Sequence, residues 1–386
     1  MTVDINSLLE KAVSMKASDL HIRAGTFPVV RINGVLSPLP GEDRITSDNT
    51  ARIADVVMGD IHKDQFNKDL DIDVSYSVPG LGRFRCNCFI QRGTVGIVFR
   101  VIPLTILKLE QLYLPEVLKK VALEPRGLVL VTGTTGSGKT TTLSSMIDYI
   151  NANKSNNIIT IEDPVEFLHK DNKSIVSQRE IGNDAVSFAK ALRAALRQDP
   201  DVILVGEMRD FETIKTALDA AETGHLVLST LHTIDAVETI NRIISVFPPY
   251  QQSQVRAQLA SVLKSIISMR LVQRADMKGV VPAVEVLIAT ATIRGCIEDP
   301  DKTKNIGDHI AEGGSQYGMQ TFDQSLLALY RSELITYESA VSIATNPDDF
   351  ALKVKGIQST SDVWSSGSRS EDSEFGGGQD IERFTR

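Results

Sequence analysis

Eight residues constrain this chain more than any others. Gly133-Thr134-Thr135-Gly136-Ser137-Gly138-Lys139-Thr140 matches the pattern G-x-x-x-x-G-K-[ST]. The apolar run Leu128 to Thr132 precedes it, and a stretch with helical character, 139–151, follows. Strand, glycine-rich loop and helix in that order form a cradle for phosphate. Glycines let backbone N–H groups curl around the oxygens, and the helix N-terminus adds a favourable dipole. ATP is therefore the expected ligand of Gly133, Thr134, Thr135, Gly136, Ser137, Gly138, Lys139, Thr140 and Thr141. Lys139 is expected on the β- and γ-phosphates, and the Thr140 hydroxyl on Mg²⁺.

Around this loop the pattern alternates. Ile158 to Ile161, Val202 to Val205 and Leu226 to Thr230 are further short apolar runs, separated by helical stretches at 185–197 and 211–223. Buried apolar strands alternating with helices predict an α/β fold with a parallel sheet covered on both faces. Residues 250–274 and 321–345 read as additional helices. The first hundred residues differ. A helix over 4–17 is followed by β-like runs at Asp19 to Arg23, Val29 to Ile32, Ile72 to Val78, Arg83 to Ile90 and Val95 to Ile102, with a helical stretch at 50–69. That is a smaller α+β unit built on an antiparallel sheet. The expected partition is 1–102, a linker at 103–115, a nucleotide domain at 116–355, and a tail from Gly356. The tail carries seven serines between Ser359 and Ser373, then three consecutive glycines. It lacks the apolar content to offset its ordering entropy, so disorder is expected, with Trp364, Phe375 and Phe384 as isolated aromatics.

Ligands of an open α/β sheet bind outside the C-terminal ends of its strands. Two acidic clusters follow such strands: Glu162-Asp163-Pro164-Val165-Glu166, and Glu207 after Gly206. Either can supply a group that orients water or an outer ligand for the metal. His225 and His232 flank the strand Leu226 to Leu231, and spacing alone assigns them no role. Arg83, Arg85, Arg92 and Arg100 cluster in one segment, and arginine is the residue suited to charge developing on a transferred phosphoryl group.

Composition disfavours several classes, a nucleic-acid translocase remaining an alternative. The net charge of −8 argues against a nucleic-acid translocase that grips its track by bulk electrostatics. Three cysteines, Cys86, Cys88 and Cys296, form neither a disulfide framework nor a zinc site. Met1 to Ala17 carries Asp4, Glu10, Lys11 and Lys16 and no long apolar run, so no secretory signal is expected. No stretch reaches the roughly 18 apolar residues of a membrane span. The expected location is cytoplasmic, at most peripheral to a membrane.

Five ordered segments resemble the secretion and pilus ATPases. Ala17-Ser18-Asp19-Leu20-His21-Ile22 looks like that family's early SDLH motif. Gly133 to Thr140 is similar to its Walker A loop, and Ile161 to Phe167 to its Asp box. Val205 to Asp210 is similar to its Walker B segment, and Ala221 to Thr233 to its His box. The resemblance runs over about 5–350. It implies a PAS-like N-terminal domain joined by a flexible linker to a RecA-like P-loop ATPase domain. It implies a homo-hexamer with ATP between domains, acting on an inner-membrane pilus platform protein.

The same resemblance assigns Glu166 as the glutamate that activates water and Glu207 as acting on Mg²⁺. His225 and His232 would couple nucleotide state to movement, and Arg83, Arg85, Arg92 and Arg100 would include the arginine fingers. The four-cysteine zinc insertion and extra N-terminal domain of the assembly and type II secretion relatives are missing, which points to the pilus-retraction, twitching-motility branch. That branch carries an AIRNLIRE signature. Here the matching stretch, Ala291 to Glu298, has Gly295-Cys296 in place of Asn-Leu. This leaves open an accessory paralogue, or a regulatory subunit that binds nucleotide beside a sister pilus ATPase.

Overall fold

Two sheets organise the chain. The computed structural model describes residues 3–32, 34–102 and 105–356. The tail expected beyond Gly356 lies outside these residues, as do Pro103 and Leu104 of the expected linker.

The first sheet is antiparallel throughout, as the sequence predicts. Helix α1 (Ile5–Ser14) buries Ile5, Leu8, Leu9 and Ala12, one stripe at the 3.6-residue period, and is capped by the Asp4 carboxylate on the Asn6 N–H. Strands β1 (Asp19–Arg23), β2 (Val29–Ile32) and β3 (Val35–Pro38) precede α2 (Ser47–Asp69), which is interrupted at Gly59 where φ is +59°. Strands β4 (Asp71–Val78), β5 (Gly82–Gln91) and β6 (Thr94–Val101) complete the order β3-β2-β1-β6-β5-β4. On β5, Phe84, Cys86 and Cys88 are fully buried at alternate positions, while Arg83, Arg85 and Asn87 take the other face. Both thiols are free, and burial pushes the Cys88 thiol up to about 12, so they serve as small apolar residues.

A 3₁₀ turn (Leu109–Leu112) and α3 (Val117–Ala122) lead into the second sheet. Its elements follow in chain order: β7 (Gly127–Thr132), α4 (Lys139–Asn153), β8 (Asn157–Glu162), β9 (Ile175–Glu180), α5 (Phe188–Ala195), β10 (Val202–Val205), α6 (Phe211–Glu222), β11 (Leu226–Leu231), α7 (Ala236–Ser245), α8 (Pro249–Val262), β12 (Leu263–Gln273), β13 (Val280–Ile288) and α9 (Ala291–Glu298). Helices α10 (Ile306–Glu312), α11 (Gly314–Tyr317), α12 (Phe322–Arg331), α13 (Tyr337–Ile343) and α14 (Pro347–Val354) end the described chain. Strand order is β13-β12-β7-β11-β10-β8-β9, parallel except for the β12–β13 pair.

Both faces are covered, as the apolar runs require. Leu128, Leu130, Ile159, Ile161, Ile203 and Val205 pack toward α5, α6, α7 and α8. Their neighbours Val129, Val131, Ile158, Val202 and Leu204 pack toward α3 and α4. A third cluster seats Phe322, Leu326 and Phe350 of the C-terminal helices on Val272, Val281 and Ala283 of β12 and β13.

Two sequence expectations fail here. The stretch 250–274 is not one helix but α8 followed directly by β12. No glycine or proline marks the change, and the run Ser265–Ile266–Ile267, two of its residues β-branched, turns extended because it pairs with β7. Likewise 321–345 is two helices, broken before Thr336, whose hydroxyl caps α13.

Candidate nucleotide site

The glycine-rich loop leaves β7 at Thr132 and enters α4 at Lys139. Gly133, Gly136 and Gly138 all have positive φ, at +142°, +78° and +93°. A Cβ on Gly133 would stand 2.5 Å from Ser137 Oγ and 2.6 Å from the Met269 carbonyl oxygen, so this position takes no side chain. Gly136 faces open space and is glycine for its backbone conformation alone. Lys139 is buried; its ammonium donates to the carbonyls of Gly133 (2.8 Å) and Thr134 (2.9 Å), so the cation is fixed at the mouth of the loop. Burial lowers its proton affinity, opposed by the nearby negative charges of Glu207 and Glu166.

A cleft of about 580 Å³ opens in front of this loop at the C-terminal edge of the parallel sheet. Thr135, Gly136, Gly138, Lys139, Thr140 and Thr141 form one wall, and Glu166, Glu207, Arg209 and His232 face them. Arg85, reaching over from β5, lines the same cleft and is paired with Asp73 at 3.1 Å. Glu207 sits between an arginine and a histidine: Arg209 Nε lies 2.7 Å from Oε1, and His232 Nε2 lies 3.6 Å from Oε2. Its segment is tied to the sheet by the Thr230 hydroxyl, which donates to the Gly206 carbonyl at 2.6 Å.

Other candidates lie elsewhere. His225 is at the opposite end of β11, about 23 Å along the strand from His232 at about 3.3 Å per residue. Its carbonyl accepts from the Gly127 N–H, and its Nδ1 lies 2.9 Å from the Ala220 carbonyl. Flanking one strand on both sides puts the two histidines on opposite edges of the sheet, so the cleft gathers only His232. Arg83 bonds Glu180 of the same chain at 2.6 Å, Arg100 pairs with Asp19 at 3.0 Å, and Arg92 lies at φ +51° beside the β5–β6 turn. Of the four arginines only Arg85 lines the cleft.

Three residues carried no assigned role in the sequence. Glu162 ends β8 and is buried, with Thr160 and Gln178 donating to its Oε1 at 2.6 and 3.1 Å; burial raises its pKa. Thr230 and Arg209 flank Glu207. The signal for Glu162 was its place as the last residue of an apolar strand, which reads equally as a solvated loop acid.

For Mg²⁺, no cluster of three acidic, histidine or cysteine ligands exists among the described residues. That fits an ion held mainly by phosphate oxygens and water, for which one hydroxyl and one outer carboxylate suffice. Thr140 and Glu207, on facing walls of one cleft, are of that type.

Comparison with known proteins places the chain in a family. Residues 1–312 match the family described as type II/IV secretion system protein. The chain is 46% identical over 348 residues to the type IV pilus retraction ATPase PilT of Pseudomonas aeruginosa, covering 90% of this chain and all of that protein. It is 40% identical over 365 residues to the type IV pilus ATPase PilU of the same organism, covering 94% and 95%. A crystal structure of the pilus retraction motor PilT with bound ADP superposes with a TM-score of 0.83 at 46% identity, over 90% of this chain and 98% of that one. With its family matched over most of its length and its relatives aligned nearly end to end, the chain belongs to the type II/IV secretion system proteins.

Proposed function

We propose that this protein is an ATP-hydrolysing motor that powers type IV pilus retraction and twitching motility. The observation that carries this is the convergence of Lys139, Thr140, Glu166 and Glu207 on one cleft that the N-terminal sheet overhangs with Arg85. The names of the aligned relatives supply the pilus.

In this reading Lys139 holds the β- and γ-phosphates, and the loop N–H groups cradle them. Mg²⁺, held by Thr140 and through water by Glu207, would neutralise charge on the phosphates. Glu166 stands in the solvent-open part of the cleft, where it can accept a proton from the attacking water. Arg85 offsets charge on the transferred phosphoryl group, and His232 links that change to Glu207. The partition into a PAS-like unit (1–102), a hinge (103–115) and a RecA-like unit (116–355) lets nucleotide closure swing one sheet against the other. Six copies in a ring would turn a platform protein at the cytoplasmic face of the inner membrane. No helix among the described residues is long and apolar enough to cross a membrane, which is compatible with such a peripheral seat.

Glu166→Gln tests the chemistry: turnover should fall at least about a hundredfold with ATP binding kept, and unchanged ATPase activity refutes the assignment. Gene deletion tests the biology. Hyperpiliated, non-twitching cells are expected, whereas bald cells indicate assembly. An accessory role has one specific support, the 40% identity to PilU over 94% of the chain. Deletion that leaves twitching intact while a sister motor remains would favour it.

A further inference from the structure

Glu166 sits in a loop whose two flanks are held by side chains of one strand. On β9, Gln178 and Glu180 are two residues apart and therefore share a face. Gln178 donates to the Phe167 carbonyl (2.8 Å) and accepts from the His169 N–H (2.9 Å). Glu180 Oε2 accepts from the Val165 N–H at 3.0 Å. The residues immediately before and after Glu166 are thus pinned from below.

The two anchors differ in one respect. Gln178 is neutral and is satisfied within the second sheet and its loops. Glu180 is a carboxylate only 3% exposed, and a buried charge needs a partner. Among the described residues the one cation within salt-bridge distance is Arg83, on β5 of the first sheet, at 2.6 Å from the same Oε2 that holds Val165. The other carboxylate oxygen accepts from Asn183, whose own side-chain oxygen lies 2.9 Å from His62 Nε2 of α2. Both contacts, one from β5 and one from α2, therefore converge on Glu180 and its turn.

We propose that Glu180 is a positioning residue that couples the seat of Glu166 to the closure of the N-terminal sheet. While Arg83 is docked, the Glu180 charge is compensated and its oxygen holds Val165. When the sheets separate, the carboxylate loses its cation, rehydrates or shifts, and the grip on Val165 loosens. Glu166 is then correctly placed only in the subunit conformation in which Arg83 is home. This rests on the assignment of Glu166 as the base.

The test compares steady-state ATPase kinetics of the full chain with Glu180→Gln, Arg83→Met, Glu166→Gln, the double variant Glu166→Gln/Glu180→Gln, and the exchange Arg83→Glu/Glu180→Arg. Fluorescent-nucleotide titration and thermal melting accompany each. Displacing a catalytic group by about 1 Å costs on the order of a hundredfold. Glu180→Gln keeps an acceptor for Val165 but removes the charge that fixes Arg83, and is expected to lower kcat about ten- to a hundredfold with KM and nucleotide affinity within about threefold. Arg83→Met should lower kcat in the same direction, and it keeps the test open should Glu180→Gln fail to fold. In the Glu166→Gln background the Glu180 substitution should cost nothing more. The exchange should not rescue, because an arginine cannot accept the Val165 N–H.

Wild-type kcat in Glu180→Gln or in Arg83→Met, additive losses in the double variant, or rescue by the exchange each overturns the proposal. Glu166→Gln inactive beside Glu180→Gln at wild-type rate sinks this coupling alone. Glu166→Gln at wild-type rate removes the base itself and the coupling with it.

Discussion

Glu285 makes the stability of this protein fall as pH rises from 4.5 to about 7. Its carboxyl lies 8% exposed on β13, where Oε1 accepts from the Ala236 N–H at 2.8 Å and from Ser268 Oγ at 3.3 Å. Ser268 in turn accepts from Thr132, the last residue of β7 before the glycine-rich loop, at 3.1 Å. Burial dominates over these hydrogen bonds, and the neighbouring Asp235 charge adds to it, pushing the pKa from 4.5 to about 7. The folded state therefore prefers the protonated form. Below pH 4.5 neither state pays for ionisation, and the penalty grows between 4.5 and about 7 and is constant above. Each tenfold in proton affinity is worth about 1.4 kcal/mol, so the full penalty is on the order of 3 kcal/mol. Glu285→Gln mimics the protonated carboxyl, keeps an acceptor for Ala236 and Ser268, and cannot titrate. At roughly 2–4 °C per kcal/mol, the variant should melt about 6–12 °C above wild type at about pH 8, with the gap closing as pH falls toward about 5. Differential scanning fluorimetry across that range reads it directly. Parallel melting curves, or a gap that widens toward acid, refute the reasoning.

Two further outcomes follow from particular contacts. Gly136→Ala, with open space around its Cβ, carries only the left-handed strain of about 1–2 kcal/mol and should still bind fluorescent ATP. Gly133→Ala meets backbone oxygen at 2.6 Å and should lose binding; equal affinities of the two variants would contradict the geometry. Arg270 stacks 3.8 Å above the Phe322 ring and donates to the Ile343 carbonyl at 2.8 Å, joining β12 to the C-terminal helices. Arg270→Met should cost about 1–3 kcal/mol and speed proteolysis near residue 345 without changing nucleotide affinity; an unaltered cleavage rate would show the contact to be idle.

Much of the second sheet was legible because burial on both faces leaves a continuous apolar signature. Val202 to Val205 is a strand with the bounds read from sequence, and Leu128 to Thr132 lacks only Gly127. Strand β9 was not legible. Its residues Ile175-Val176-Ser177-Gln178-Arg179-Glu180 form a half-exposed edge strand, and its polar side chains serve the loop beside it rather than a core. Strand β12 was hidden for another reason: its extended form is imposed by β7 and not by local propensity. At the site, motif spacing singled out Lys139, Glu166 and Glu207, and all three line one cleft. It could not separate His225 from His232, or Arg85 from Arg83, because which sheet edge or which partner a side chain meets is decided by pairing across the fold.

That pairing has a consequence for how the nucleotide loop comes into being. Every recognisable motif of the site is complete by Thr233, yet the loop is seated by β12. Ser268 pairs with Thr132, the Met269 carbonyl backs Gly133, the Met269 sulfur accepts from Thr142, and Leu271 lines the cleft. These contacts span more than a hundred residues of chain, a closure that comes late in a fold built by sequential synthesis. A nascent chain that has emerged only to the end of β11 would carry the whole ATPase signature and still lack the strand on which its phosphate cradle rests.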